Sequence, residues 1–161
     1  MTEYYQKKLQ EGLEYQDFVF EQLRYMNGMP IFLGAYTSQK YQNYTGESLS
    51  GLEIKFDGKF AETNNLFIEV AEKTNPNNKD FVPSGIMRDD NTWLYLIGDY
   101  EQAFIFAKKT LRAYCSDRNP KIRLKECKMG TSRGYLFPID YVQGNPFLCA
   151  KHIIFRKNDV I

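Results

Sequence analysis

Apolar and polar positions alternate most regularly in the middle of the chain. Over residues 51–57 (GLEIKFD), Leu52, Ile54 and Phe56 point one way and Glu53, Lys55 and Asp57 the other. Over residues 66–73 (LFIEVAEK), Leu66, Ile68 and Val70 oppose Phe67, Glu69, Ala71 and Lys73. A period of two marks a strand with unlike faces. The two segments are therefore expected to pair through GKFAETNN as a β-hairpin or meander, with an apolar back and a charged front. Residues 3–26 carry a longer spacing, Leu13, Phe18, Phe20 and Leu23, which predicts a helix with a weak point at Gly12 and a stop at Asn27-Gly28.

Further strands are predicted at PIFLGAY (30–36), WLYLIGD (93–99) and QAFIFA (102–107). The last two are joined by a turn at Asp99-Tyr100-Glu101 and lead into a short basic helix, KKTLRAYC (108–115). RGYLFPI and AKHIIF read as shorter strands late in the chain. A helix followed by a run of strands, without strict alternation, predicts a single α+β domain: an N-terminal helix, a mixed or antiparallel sheet and a basic helix.

Composition narrows the class. The 161 residues, 43% hydrophobic, suit one globular domain with its own core. No stretch reaches the roughly 18 apolar residues of a membrane span, mean hydropathy is −0.52, and the polar start MTEYYQKKLQEG does not read as a secretory signal. Three cysteines without CxxC spacing argue against a disulfide framework or zinc ribbon and for reduced, buried thiols in a cytoplasmic protein. A single histidine, His152, excludes HExxH proteases, multi-histidine zinc sites and paired-histidine ribonuclease chemistry. GxGxxG, GxxxxGK[ST] and GxSxG are absent. Carboxylates and lysines are left to carry any chemistry.

The net charge of +1 conceals an asymmetry. Residues 1–100 hold 9 Lys/Arg and 15 Asp/Glu, and residues 101–161 hold 12 and 5. Most of the excess lies between Lys108 and Arg133. Such a distribution fits an acidic site beside a basic binding face, for which nucleic acid is one obvious ligand; a segregated but purely solvated surface is the other reading. Candidate phosphate contacts are Lys108, Lys109, Arg112, Lys121, Arg123 and Lys125, with Ser116, Thr131 and Ser132 as neutral donors. Tyr36, Tyr41 and Tyr44 around Lys40 offer stacking partners.

If the two alternating strands pair, Asp57 and Glu69 converge on one face and form a hard oxygen site suited to Mg²⁺ or Mn²⁺. A neighbouring lysine would offset charge at a scissile phosphate. The alternative is structural: Glu53, Lys55, Glu69 and Lys73 as cross-strand ion pairs, each worth roughly 0.2–1 kcal/mol.

A helix bearing a Glu, a strand ending in Asp, and a following strand carrying Glu and then Lys together resemble the PD-(D/E)XK nuclease superfamily. The likeness covers roughly residues 10–115, through EGLEYQDFVFEQL, GLEIKFD, LFIEVAEK and the strand and basic helix beyond. It implies a restriction-endonuclease-like core, Mg²⁺ (or Mn²⁺) as cofactor and endonucleolytic cleavage of DNA, RNA carrying the same backbone charge. In that likeness Asp57 and Glu69 are the motif acids and Glu14 the auxiliary metal ligand. The motif lysine position is Ala71, so Lys73, or else Lys55, would stand in for it. Glu53-Ile54-Lys55 is itself an E-x-K, without an upstream aspartate on the preceding strand. At this size a homodimer is expected, one subunit for each strand of a duplex. The other function class is a catalytically inactive nucleic-acid-binding or protein-interaction module on the same fold.

Overall fold

The computed structural model describes residues 3–24, 51–115, 118–128 and 130–155. The strand predicted at 30–36, the tyrosines around Lys40, and Ser116 lie outside them. In chain order the elements are α1 (Glu3–Arg24), β1 (Leu52–Phe56), α2 (Phe60–Thr63), β2 (Asn65–Glu72), β3 (Val82–Pro83), a 3₁₀ turn (Gly85–Met87), β4 (Leu94–Gly98), β5 (Gln102–Ala107), α3 (Lys108–Tyr114), β6 (Arg123–Glu126), β7 (Ser132–Pro138), α4 (Ile139–Gln143) and β8 (Lys151–Ile154). The class is α+β, as the sequence predicts.

Two four-stranded sheets form, one ordered β1-β4-β5-β8 and the other β3-β2-β7-β6. The first is mixed, because β1 runs parallel to β4 while β4, β5 and β8 are antiparallel. The second is antiparallel throughout. The predicted hairpin of β1 with β2 does not form. The connection that was to be its loop folds as a turn and the short α2, and carries the chain from one sheet to the other.

Alternation then decides what each sheet face meets. Leu52 and Ile54 of β1, Leu96 of β4, Ala103 and Ile105 of β5 and Ile153 of β8 pack against Tyr15, Val19 and Leu23 of α1. These helix positions are four residues apart, a stripe with the helical period. Leu13 is 200° around from Tyr15 at 100° per residue and stays exposed. Gly12 does not interrupt the helix. On the opposite face of the first sheet, Tyr95, Ile97, Phe104 and Phe106 share a second core with Leu66 and Ile68 of β2 and Phe137 of β7. The first sheet is thus buried on both sides, which suits its parallel pair.

The β4–β5 hairpin is closed by Asp99, whose Oδ1 accepts the N–H groups of Glu101 at 2.8 Å and Gln102 at 3.0 Å. No helix among the described residues is long and apolar enough to cross a membrane.

Candidate functional site

β1 is an edge strand, and its register sets Glu53 beside Tyr95 and Lys55 beside Ile97. The charged side of β1 therefore shares a face with the second core instead of fronting solvent. This is a correction to the outward-facing charged front. Glu53 is 2% exposed, and Lys55 has about a third of its side chain exposed (34%).

Asp57 follows β1 directly. Its N–H donates to the Gly98 carbonyl at 2.8 Å, fixing it at the end of the strand. Its Oδ1 accepts the Lys59 N–H at 3.1 Å and its Oδ2 the Phe67 N–H at 3.0 Å. Burial pushes the Asp57 carboxyl above its ordinary value, the N–H groups of Phe67 and Lys59 pull it back, and the nearby charge of Asp99 adds to the rise. Burial, with the charges of Asp99 and Asp57, also drives the Tyr15 phenol well above the ordinary tyrosine range.

Glu69 lies on β2 and is held by two hydroxyls. Ser84 donates to its Oε1 at 2.6 Å and Ser132 to its Oε2 at 2.5 Å. Ser84 is brought there by the glycine after it. Gly85 has φ +51°, and a Cβ on it would lie 2.4 Å from the Glu69 carbonyl oxygen. Only glycine allows that approach.

Lys55, Asp57 and Glu69 line a single pocket of about 180 Å³, completed by Phe56, Phe67, Tyr95 and Ile97. Both strands and both sheets contribute. The sequence-predicted acids share the pocket even though their strands do not pair.

Two other predicted members are elsewhere. Glu14 is exposed on α1, across the first sheet from the second core, and accepts a hydrogen bond from Gln10 at 2.9 Å. Lys73 donates to the Asn78 carbonyl at 3.0 Å and lies 4.6 Å from the centre of the Phe81 ring. The reason is a β-bulge. Glu69 faces Gly134 and Ala71 faces Arg133, so Val70 is an extra residue in β2. Beyond it the alternation is inverted, and Ala71 and Lys73 fall on the face opposite Glu69. Of the two candidate lysines, Lys55 is the one at the pocket.

The basic candidates also divide. Lys108 is 2% exposed and is no phosphate contact. Its Nζ donates to Asp90 at 2.7 Å and Thr92 at 2.5 Å, and lies 3.5 Å from Glu53. Arg112 braces the 3₁₀ turn through the carbonyls of Ile86 at 2.5 Å and Arg88 at 3.0 Å. Ser132 serves Glu69, while Lys121 lies over the Tyr141 ring. Lys109, Arg123 and Lys125 are exposed. Lys125 faces Gly134, which faces Glu69, so the exposed basic side of β6 and the Glu69 carboxylate belong to one face of the second sheet.

The buried Asp90–Lys108–Glu53 group is the feature that sequence reasoning missed. No signal along the chain marked it, because Glu53 alternates with Leu52 and Ile54 just as a solvent-facing charge would. Among the described residues, no group of three or more His, Cys, Asp or Glu side chains could enclose a metal ion. No protein-family model, curated protein or solved structure matches this chain. The fold and pocket define an α+β protein with a two-carboxylate, one-lysine pocket lined from both sheets.

Proposed function

We propose that the protein is a divalent-metal-dependent endonuclease acting on the phosphodiester bonds of DNA. The observation that carries this reading is the shared pocket of Lys55, Asp57 and Glu69. An exposed basic strand on the same sheet face as Glu69 supports it, through Arg123 and Lys125 as backbone-phosphate contacts.

The donors fit Mg²⁺ or Mn²⁺ in kind and number. Both are hard carboxylate oxygens, and Mg²⁺ is commonly held by one or two carboxylates while keeping waters and substrate phosphate oxygens. Burial of Asp57 disfavours its ionised form, and a cation there would supply the missing counter-charge. Asp57 and Glu69 would hold the ion, without Glu14. When bound, it supplies Lewis-acid polarisation of the phosphate and a water acidified toward hydroxide. The chain's own groups do the positioning: the Lys59 and Phe67 N–H groups fix Asp57, the Ser84 and Ser132 hydroxyls fix Glu69, and the Lys55 ammonium faces a non-bridging oxygen. A two-fold pair of subunits would cut both strands of a duplex. Three cysteines outside any disulfide, Cys115, Cys127 and Cys149, suit a reducing compartment such as the cytoplasm.

The test is incubation with supercoiled plasmid in Mg²⁺ or EDTA. Nicking or linearisation in Mg²⁺ only, reduced about 100-fold or more by Asp57→Asn and by Glu69→Gln with folding retained, is the expected result. Unchanged rates in both variants reject the site.

One observation favours the second reading, a catalytically inactive nucleic-acid-binding module. All the carboxylate oxygens of Asp57 and Glu69 already accept hydrogen bonds from the chain. Under it, plasmid is bound and never cut.

A further inference from the structure

A line of charges runs inward from the pocket: Lys55, Glu53, Lys108, Asp90. Its inner end is saturated. Asp90 Oδ1 accepts from the Lys108 ammonium at 2.7 Å, from the Thr92 N–H at 3.0 Å and from the Thr92 hydroxyl. Lys108 also donates to Thr92 at 2.5 Å. Lys108 and Asp90 thus make a neutral pair with its own hydrogen bonds, and both side chains are almost fully enclosed.

Glu53 is different. It is equally buried, but neither carboxylate oxygen accepts a hydrogen bond from a described residue. Its nearest cations are Lys108, 3.5 Å from Oε2, and Lys55, 3.3 Å from Oε1. Lys108 is already committed to Asp90, so the three buried groups carry one uncompensated negative charge. A charge in that position is costly unless a cation answers it. Lys55 is the described cation that does so, and it is also the lysine at the pocket wall.

We propose that Glu53 is a positioning residue, and that the buried Asp90–Lys108–Glu53 cluster pins the Lys55 ammonium against the inner wall of the pocket as its anion-binding cation. Lys108 and Asp90 keep Glu53 in place, Glu53 fixes Lys55, and Lys55 alone touches the substrate phosphate. The substrate role rests on the nuclease reading above; the pinning of Lys55 does not.

The experiment therefore has two arms. In the first, a small amine-acylating reagent is applied to the intact protein at fixed pH, and modification of Lys55 is followed by peptide mass spectrometry. An ammonium engaged with a carboxylate is a poor nucleophile, so Glu53→Gln should raise the Lys55 rate roughly threefold or more. The buried Lys108 should stay unmodified in the variant, which reports a retained fold. An unchanged Lys55 rate overturns the proposal, whatever the protein cleaves. If Glu53→Gln does not fold, Glu53→Asp carries the test, because it keeps the charge but withdraws it by one methylene; acceleration at Lys55 is again expected, and none overturns the proposal.

In the second arm, Mg²⁺-dependent plasmid cleavage is compared across Glu53→Gln, Lys55→Met and the double variant. Glu53→Gln should lower the rate about tenfold, and the double variant should be no slower than Lys55→Met, since Glu53 acts through Lys55. Additive losses overturn the positioning role. Absence of cleavage by the unaltered protein together with faster Lys55 acylation in Glu53→Gln would remove the nuclease reading and leave the pinning intact.

Discussion

The carboxylate of Asp57, at the end of β1, accepts the backbone N–H of Phe67 on β2 at 3.0 Å. One side chain thereby ties the edge of the mixed sheet to an inner strand of the antiparallel one, beside the pocket that both residues line. The bond holds Asp57 in a partly desolvated place, and that has a consequence for stability.

The folded-state pKa of Asp57 is raised above its ordinary value of 3.8, chiefly by burial. The folded protein thus holds this proton more tightly than the unfolded chain. The associated stability is fully present below 3.8 and is lost as pH rises through the higher folded value. In urea unfolding between about pH 4 and about pH 7, the unaltered protein should lose stability relative to Asp57→Asn. A difference that is flat with pH, or grows in favour of the unaltered protein, contradicts this.

Lys108 lies between two buried carboxylates, Asp90 at 2.7 Å and Glu53 at 3.5 Å. Lys108→Met removes the cation and leaves both acids enclosed, at an expected cost of about 3–5 kcal/mol. Replacing the group together, with Glu53→Gln, Asp90→Asn and Lys108→Met, should cost less than Lys108→Met alone. Chemical denaturation of the two variants decides this.

Gly85 gives a backbone test of how Glu69 is held. Gly85→Ala places a methyl against the Glu69 carbonyl at φ +51°, which should destabilise by about 1–3 kcal/mol. The shift should also displace Ser84 from Glu69 and lower pocket function beyond the stability loss. A variant as stable as the parent would contradict the close packing of the 3₁₀ turn on β2.

For nucleic-acid binding, Arg123→Ala and Lys125→Ala should each weaken affinity for duplex DNA and reduce the slope of log affinity against log salt by about 1. Arg112→Ala should leave that slope unchanged, because its guanidinium is spent on the Ile86 and Arg88 carbonyls. Binding titrations across salt concentrations distinguish the two groups.

Much of the local structure was legible along the chain. β5 falls on the predicted residues 102–107, and the basic helix differs from its prediction by only its last residue. The turn at Asp99 needed only a short side chain that could accept its neighbours' N–H groups. Alternation marked Glu53, Asp57 and Glu69 alike as carboxylates set against apolar neighbours, and the order of acids in the nuclease-like pattern singled out Asp57 and Glu69. Lys73 could not be placed, because one extra residue at Val70 inverts the alternation and leaves no mark in the pattern itself.

Sequence by itself determined the first helix, β1, β2, β4, β5 and the basic helix, through periods of 3.6 and 2 and through turn residues, since these depend on neighbours a few positions away. Tertiary structure alone decided that β1 pairs with β4 and β2 with β7, because pairing between distant strands depends on which faces can be buried together. It also decided that the charged side of β1 points inward. The same alternation describes a strand with a wet charged face and one whose charges are enclosed and paired, and only the second sheet packed beside Tyr95 and Ile97 separates them. That burial turns Glu53 and Lys108 from apparent surface charges into the inner support of the pocket.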